Sequence, residues 1–330
     1  MISAPLASAS RNAKADFPLA VGPAISQMRG AMLIAVTLVS PEPGKSESYA
    51  ALIGSAVASL ARPVKESLAL GVNAVDLIFE AEATDPIHRA VKAVIGDAPI
   101  DYCVQPALHR RKRLLIADMD STIIGCECLD ELAGFAGVKA EVSAITERAM
   151  RGEIGFEGAL RERVGMLKGL PIDALEQCYA ERVRLNPGAR TLVTTMAAHG
   201  ARCALVSGGF SFFTSRVAKA AGFHTDRANT LVEAGGALTG EVGDPILGRE
   251  AKLAALNEDA AALGIDLVET LAIGDGANDL AMINAAGLGV AYRAKPLVAA
   301  EADARIDYTD LTTLLYFQGY RSDEFAKDGD

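Results

Sequence analysis

Between residues 113 and 292 the chain repeats one unit, a short and nearly continuous apolar run followed by a longer stretch with helical spacing. The runs are RLLIAD, RCALVSGG, ETLAIGDG and GLGVAY, and the first three end in Asp, Ser or Gly. Strands this uniformly apolar are buried on both faces, and helices between them make parallel crossovers. The pattern predicts an α/β fold, a Rossmann-like parallel sheet with helices on both faces. Ligands of such sheets bind beyond the carboxyl ends of the strands. The polar ends of the first three runs should therefore meet in one crevice.

The first run drives straight into Asp118 and Asp120. Carboxylates this close repel in low dielectric, so their pKa values separate unless a cation intervenes. GDGAND brings Asp275 and Asp279 from a third strand end. A hard divalent ion with oxygen ligands resolves the crowding, and Mg²⁺ suits an open carboxylate site meant for phosphate. Asp118 and Asp275 are the candidate ligands, with waters or a backbone carbonyl completing the set. SGG, residues 207–209, offers the Ser207 hydroxyl and glycine amides, an anion cradle. Lys252 adds a fixed positive charge opposite developing negative charge. With phosphate held there, Asp118 is aimed to attack phosphorus and form an aspartyl-phosphate. Asp120 then protonates the leaving alkoxide and later deprotonates water, a role its crowded carboxyl favours. Each piece alone has a plainer reading: a turn, a helix cap, a solvated lysine. Their joint occurrence at three strand ends points to chemistry.

The stretch between the first two runs reads as helix throughout. CLDELAGFAG, EVSAITERAMRG, FEGALRERVGMLKG and PIDALEQCYAERV carry apolar residues at i, i+3, i+4 spacing. This predicts a helical cap at about residues 125–186, inserted in a phosphatase-like unit over 108–330. A hairpin follows, NTLVEAGGALTGEVGD, turning at Gly235 and Gly236. Ahead of all this, residues 30–107 read as βαββαβ, a ferredoxin-like α+β domain. Within it, Ser46 or Ser48 would cap the first helix, and Gly71 and Asn73 would only make a turn. Residues 1–29 read as a disordered tail without a secretory signal.

The formal charge of −10 and the pI of about 5.0 disfavour a nucleic-acid partner, which needs a concentrated basic surface. The basic run HRRKR, residues 109–113, reads as a solvated linker. Five cysteines without metal-ligand spacing read as reduced thiols of a cytoplasmic protein, and Cys126 and Cys128 have no second pair to complete a zinc site. No apolar run is long enough to span a membrane.

DMDST, SGG, Lys252 and GDGANDL stand in the order and at the spacing of the haloacid dehalogenase (HAD) superfamily, which the chain resembles over roughly residues 113–320. DMDSTIIGCECLDELA and SGGFSFFTSRVAKAAGF resemble its phosphoserine phosphatase branch throughout. That resemblance implies hydrolysis of O-phospho-L-serine to L-serine and phosphate, with Asp118 as nucleophile and Asp120 as acid/base. It implies Mg²⁺ held by Asp118, Asp275 and the backbone carbonyl of Asp120, and Asp279 in the metal's outer shell or orienting the lysine. Ser207, Gly208 and Lys252 match the phosphate binders, and Asn278 a polar contact to substrate. Glu127, nine residues after Asp118, matches the glutamate that meets the ammonium, and Arg163 the arginine that meets the carboxylate. Met150 and Phe156 match apolar cap residues. The first domain resembles ACT-like modules, which bind amino acids or mediate dimers in some proteins, so a homodimer is compatible. Rival readings are the same chemistry on another small phosphomonoester, phosphoryl transfer to an alcohol such as homoserine, or a non-catalytic amino-acid sensor.

Overall fold

The structure, a computed structural model, describes residues 30–63, 67–150 and 153–327, with Met150 described by its backbone alone. The expected tail over 1–29 lies outside these residues. The amino-terminal unit runs β1 (Met32–Val39), α1 (Lys45–Val57), β2 (Arg62–Pro63), β3 (Leu68–Gly71), β4 (Ala74–Ala81), α2 (Thr84–Ile95) and β5 (Asp101–Pro106). Its sheet is antiparallel in the order β2-β4-β1-β5, and β3 also pairs with β4. This is the expected βαββαβ arrangement, with the second strand in two pieces.

Alternation along β1 sorts its side chains onto two faces. Ile34, Val36 and Leu38 pack with Ile53 and Val57 of α1 and Ile87 and Val91 of α2. On the opposite face Val39, with Leu70, Ala74 and Cys103, joins the core of the second unit. Neither Ser46 nor Ser48 caps α1. Gly44 does, at a φ of 77° that glycine adopts freely, and the Ser46 hydroxyl instead donates to the Asn73 carbonyl at 2.8 Å.

The second unit opens with β6 (Leu114–Ala117). Four helices follow as the cap: α3 (Cys128–Phe135), α4 (Lys139–Met150), α5 (Phe156–Gly165) and α6 (Asp173–Arg182). The chain then returns through α7 (Ala189–Ala198), β7 (Arg202–Phe210), α8 (Ser211–Ala221) and β8 (Thr225–Asn229). The hairpin β9 (Leu231–Ala234) and β10 (Ala237–Val242) turns at Gly235 and Gly236 as expected. After α9 (Arg249–Leu263) come β11 (Thr270–Gly274), α10 (Leu280–Ala285), β12 (Leu288–Tyr292), α11 (Pro296–Glu301), β13 (Ala304–Ile306) and α12 (Thr313–Phe317). The sheet is parallel, in the order β13-β12-β11-β6-β7-β8. The four anticipated strands are its centre. The edge strands TDRAN and ARI escaped notice because one is polar and the other three residues long.

The basic run is not a solvated linker. Lys112 is only 5% exposed, and its ammonium donates to the carbonyls of Val268 (2.7 Å) and Gly287 (3.2 Å). Arg110 pairs with Asp76 and Arg111 with Glu324, each at 2.7 Å, and Arg111 also lies over the Tyr320 ring. Long basic side chains bury their stems while their heads find oxygen, so here the run stitches the two units together. Gly71 likewise does more than turn the chain, since a β-carbon there would stand 2.5 Å from the Tyr316 hydroxyl. Among the described residues, no helix is long and apolar enough to cross a membrane.

Candidate active site

The carboxyl ends of β6, β7 and β11 lie side by side, because β6 sits between the other two. The Asp118 N–H donates to the Ile273 carbonyl at 3.0 Å, which continues the β6–β11 ladder one residue past the strand. The chain then makes a wide turn over Met119–Ile123, with Met119 and Ile123 buried beneath it and Ser121 at a φ of 57°. Asp118 and Asp120 end up on different sides of the pocket floor.

Asp118 is buried, and its Oδ1 lies 2.6 Å from the Lys252 ammonium. Lys252 enters from the first turn of α9 and is itself 2% exposed. Its second partner is Asp279 Oδ1 at 2.5 Å, while Asp279 Oδ2 accepts the N–H groups of Asp275 (3.2 Å) and Gly276 (3.0 Å). Burial, then the charge of Asp279, raises the Asp118 carboxyl well above the usual range against the pull of Lys252. Burial, followed by Asp279 and Glu127, pushes Asp275 up to about 6. Burial opposes the charge on Lys252, yet Asp118 and Asp279 together raise its pKa.

Asp120 faces the other way. Its Oδ1 accepts the Cys128 N–H at 2.9 Å, and its Oδ2 is 3.4 Å from the Ser207 hydroxyl. Burial and then the neighbouring Glu127 push it up to about 7, where a carboxyl both gives and takes a proton near neutrality. Gly209 makes room for it, since a β-carbon there would stand 2.9 Å from Asp120 Oδ2. The Gly209 N–H donates to Ser207 Oγ at 2.8 Å, which fixes the cradle.

Above this floor lies a cavity of about 410 Å³, lined by Asp118, Asp120, Ser207, Gly208, Asp275 and Asn278 below and by Glu127, Phe156 and Arg163 from the cap. Glu127 immediately precedes α3 and accepts the Ser121 hydroxyl at 2.7 Å. Arg163, half-buried on α5, donates to the Ala159 carbonyl (3.1 Å) and the Thr146 hydroxyl (3.3 Å). Burial lowers its pKa, with Asp130, Glu127 and Asp120 opposing. The Phe156 ring would touch a β-carbon at Gly208 at 3.2 Å, so cap and floor meet here. The expectation for the Met150 side chain lies outside the described residues. The sequence reading missed Thr146, Leu129 and Lys295 on the cavity wall. Lys295 follows no motif; its N–H donates to the Asp275 carbonyl at 3.2 Å, and its charge acts on the Asp275 carboxyl.

The profile of haloacid dehalogenase-like hydrolases matches residues 115–284, just over half of the chain. The chain belongs to that family. It is 42% identical over 255 residues to a phosphoserine phosphatase of Streptomyces coelicolor, an alignment covering 77% of this chain and 62% of the other. With a phosphoserine phosphatase of Streptococcus thermophilus it shares 48% identity over 200 residues, 61% of this chain and 93% of that one. A solved phosphoserine phosphatase, described as a phospho-aspartyl intermediate analogue, is 39% identical with a TM-score of 0.59 and is covered over 99% of its length by 63% of this chain. The chain spans about three-fifths of the length of several longer curated relatives.

In this haloacid dehalogenase-like hydrolase the donor set fits a hard divalent cation. Carboxylate oxygens of Asp118, Asp275 and Asp279 all lie within 4.8 Å of one another, and the ligand atoms are oxygen alone. Both oxygens of Asp279 are already engaged, by Lys252 and by two amides, which leaves Asp118 and Asp275 freer to ligate.

Proposed function

We propose that the chain is a Mg²⁺-dependent phosphoserine phosphatase, which hydrolyses O-phospho-L-serine to L-serine and phosphate through phospho-Asp118, the last step of serine biosynthesis. The observation that carries this reading is one cavity with Asp118 on Lys252 at its floor and Glu127 and Arg163 on its cap side. A phosphorylated amino acid has a phosphate, an ammonium and a carboxylate, and the three ends of the cavity complement them.

Arg163 binds the carboxylate with the face of its guanidinium fork that its two helix-side bonds leave open. Glu127 meets the ammonium. The Ser207 hydroxyl, the Gly208 amide and Lys252 hold the phosphate, with Asn278 on the substrate side. Asp118 attacks phosphorus in line with the seryl oxygen, and Asp120 gives that oxygen its proton as the bond breaks. Asp120 then takes a proton from the water that attacks phospho-Asp118, releasing phosphate and restoring the free carboxylate. Mg²⁺, held by Asp118, Asp275 and the Asp120 carbonyl, would neutralise charge on the phosphoryl oxygens. Asp279 keeps Lys252 and the loop at residues 275–276 in place. Phe156 excludes water from the cap side.

Turnover on a panel of phosphorylated amino acids, sugars and nucleotides tests this. Phosphoserine should lead the panel, EDTA should remove activity and Mg²⁺ should restore it. With homoserine added, inorganic phosphate should remain the product. Preference for a sugar phosphate, activity that survives EDTA, or phosphohomoserine as the main product would each contradict the reading.

A further inference from the structure

Asp101, the first residue of β5, is 3% exposed, and its carboxylate is bound by residues more than 200 positions away in sequence. It accepts the N–H groups of Asp307 (2.8 Å), Tyr308 (3.2 Å) and Thr309 (2.9 Å) and the Thr309 hydroxyl (2.5 Å). Three successive amides turned onto one carboxylate fix the backbone of that loop. The loop continues through Leu311, whose N–H donates to the Pro187 carbonyl at 3.1 Å. Pro187 and Gly188 lie where the chain leaves the cap. Gly188 has a φ of 79°, and a β-carbon there would stand 2.7 Å from the Thr312 nitrogen, so loop and hinge meet backbone to backbone.

Asn186 closes the hinge. Its Nδ2 donates to the carbonyls of Thr122 (2.8 Å) and Ile124 (3.1 Å), and its N–H donates to Ile123 at 2.8 Å. Residues 122–124 end the turn that begins at Asp118. A continuous series of bonds thus runs from the amino-terminal unit, across both strands of the cap hinge, to the turn that carries Asp118 and Asp120.

We propose that Asp101 and Asn186 are positioning residues, through which the amino-terminal unit holds the cap hinge and residues 118–124 in their reactive arrangement. The proposal rests on the phosphatase reading for its assay. A shift of about 1 Å at reacting atoms lowers a rate by up to ~100-fold, so loosening this series should appear in kcat while the chain stays folded.

The test uses the full chain well below its melting temperature. Asp101→Asn keeps the size of the side chain but turns an amide donor onto backbone N–H groups. It should lower kcat about tenfold on both phosphoserine and p-nitrophenyl phosphate. Asn186→Ala should lower it at least as far, and the double variant should lose less than the product of the two, because both act on one series. Gln105→Ala removes a different buried bond between the units, from its Nε2 to the Phe317 carbonyl at 2.7 Å. That variant should melt earlier with kcat unchanged. If Asp101→Asn does not fold, Thr309→Val, which keeps the three amide bonds to Asp101 and removes the hydroxyl's bonds to Asp101 and Thr313, should give a smaller fall in kcat. A lowered Tm with wild-type kcat in the Asp101 or Thr309 variants, or fully multiplicative losses in the double variant, would overturn the proposal. Should the wild type ignore phosphoserine yet hydrolyse p-nitrophenyl phosphate, the substrate reading fails while this test is still read on the second substrate.

Discussion

Asp118→Asn abolishes turnover of phosphoserine and of p-nitrophenyl phosphate alike, a loss on the order of 10⁵-fold or more, as expected when a nucleophile is removed from a site that works as a unit. The fold should survive. Asp118 is a buried carboxyl raised by burial and by Asp279, so a neutral isostere relieves repulsion, and Lys252 keeps Asp279 as its partner. Thermal unfolding of the variant should therefore occur at or above the wild-type temperature. Loss of activity without loss of stability separates a catalytic from a structural carboxylate. An inactive variant that also melts much earlier would assign Asp118 a structural role instead.

Arg163→Ala raises KM for phosphoserine far more than it affects p-nitrophenyl phosphate. Among the described residues Arg163 has no carboxylate at ion-pair distance, and its contacts to Ala159 and Thr146 are to neutral oxygens. The guanidinium is thus available to an incoming carboxylate within a half-buried wall of the cavity. Losing a charge-assisted bidentate contact costs about 2–4 kcal/mol, or roughly thirty- to a thousandfold. A substrate without a carboxylate never had that contact. Steady-state kinetics on both substrates decide the matter, and equal losses would reject the role.

The centre of the fold and the floor of the site were legible in the sequence for one reason. β6, β7 and β11 are apolar on both faces, and each ends where a polar side chain has to emerge, so hydrophobic pattern and chemistry mark the same residues. The cap residues were legible differently. Glu127 and Arg163 look like solvent-facing helix residues, and only the spacing of a known family singled them out. What stayed hidden depends on partners remote in sequence. The run at 109–113 reads as solvated until Asp76, Val268 and Glu324 are brought to it. Asp101 looks like any polar residue at a strand end until the loop at 307–309 folds onto it. Ser46 and Ser48 had the right chemistry for a cap, but the entry angle of α1 needed a left-handed residue, which Gly44 supplies.

In the proposed reaction Asp118 takes up the phosphoryl group beside a cation it shares with Asp275. A crystal soaked with Mg²⁺ and beryllium fluoride tests it most directly. The fluoroberyllate should be bonded to an Asp118 carboxylate oxygen, with Mg²⁺ ligated by both Asp118 and Asp275. An adduct on another residue, or an ion bound away from those two carboxylates, would contradict it.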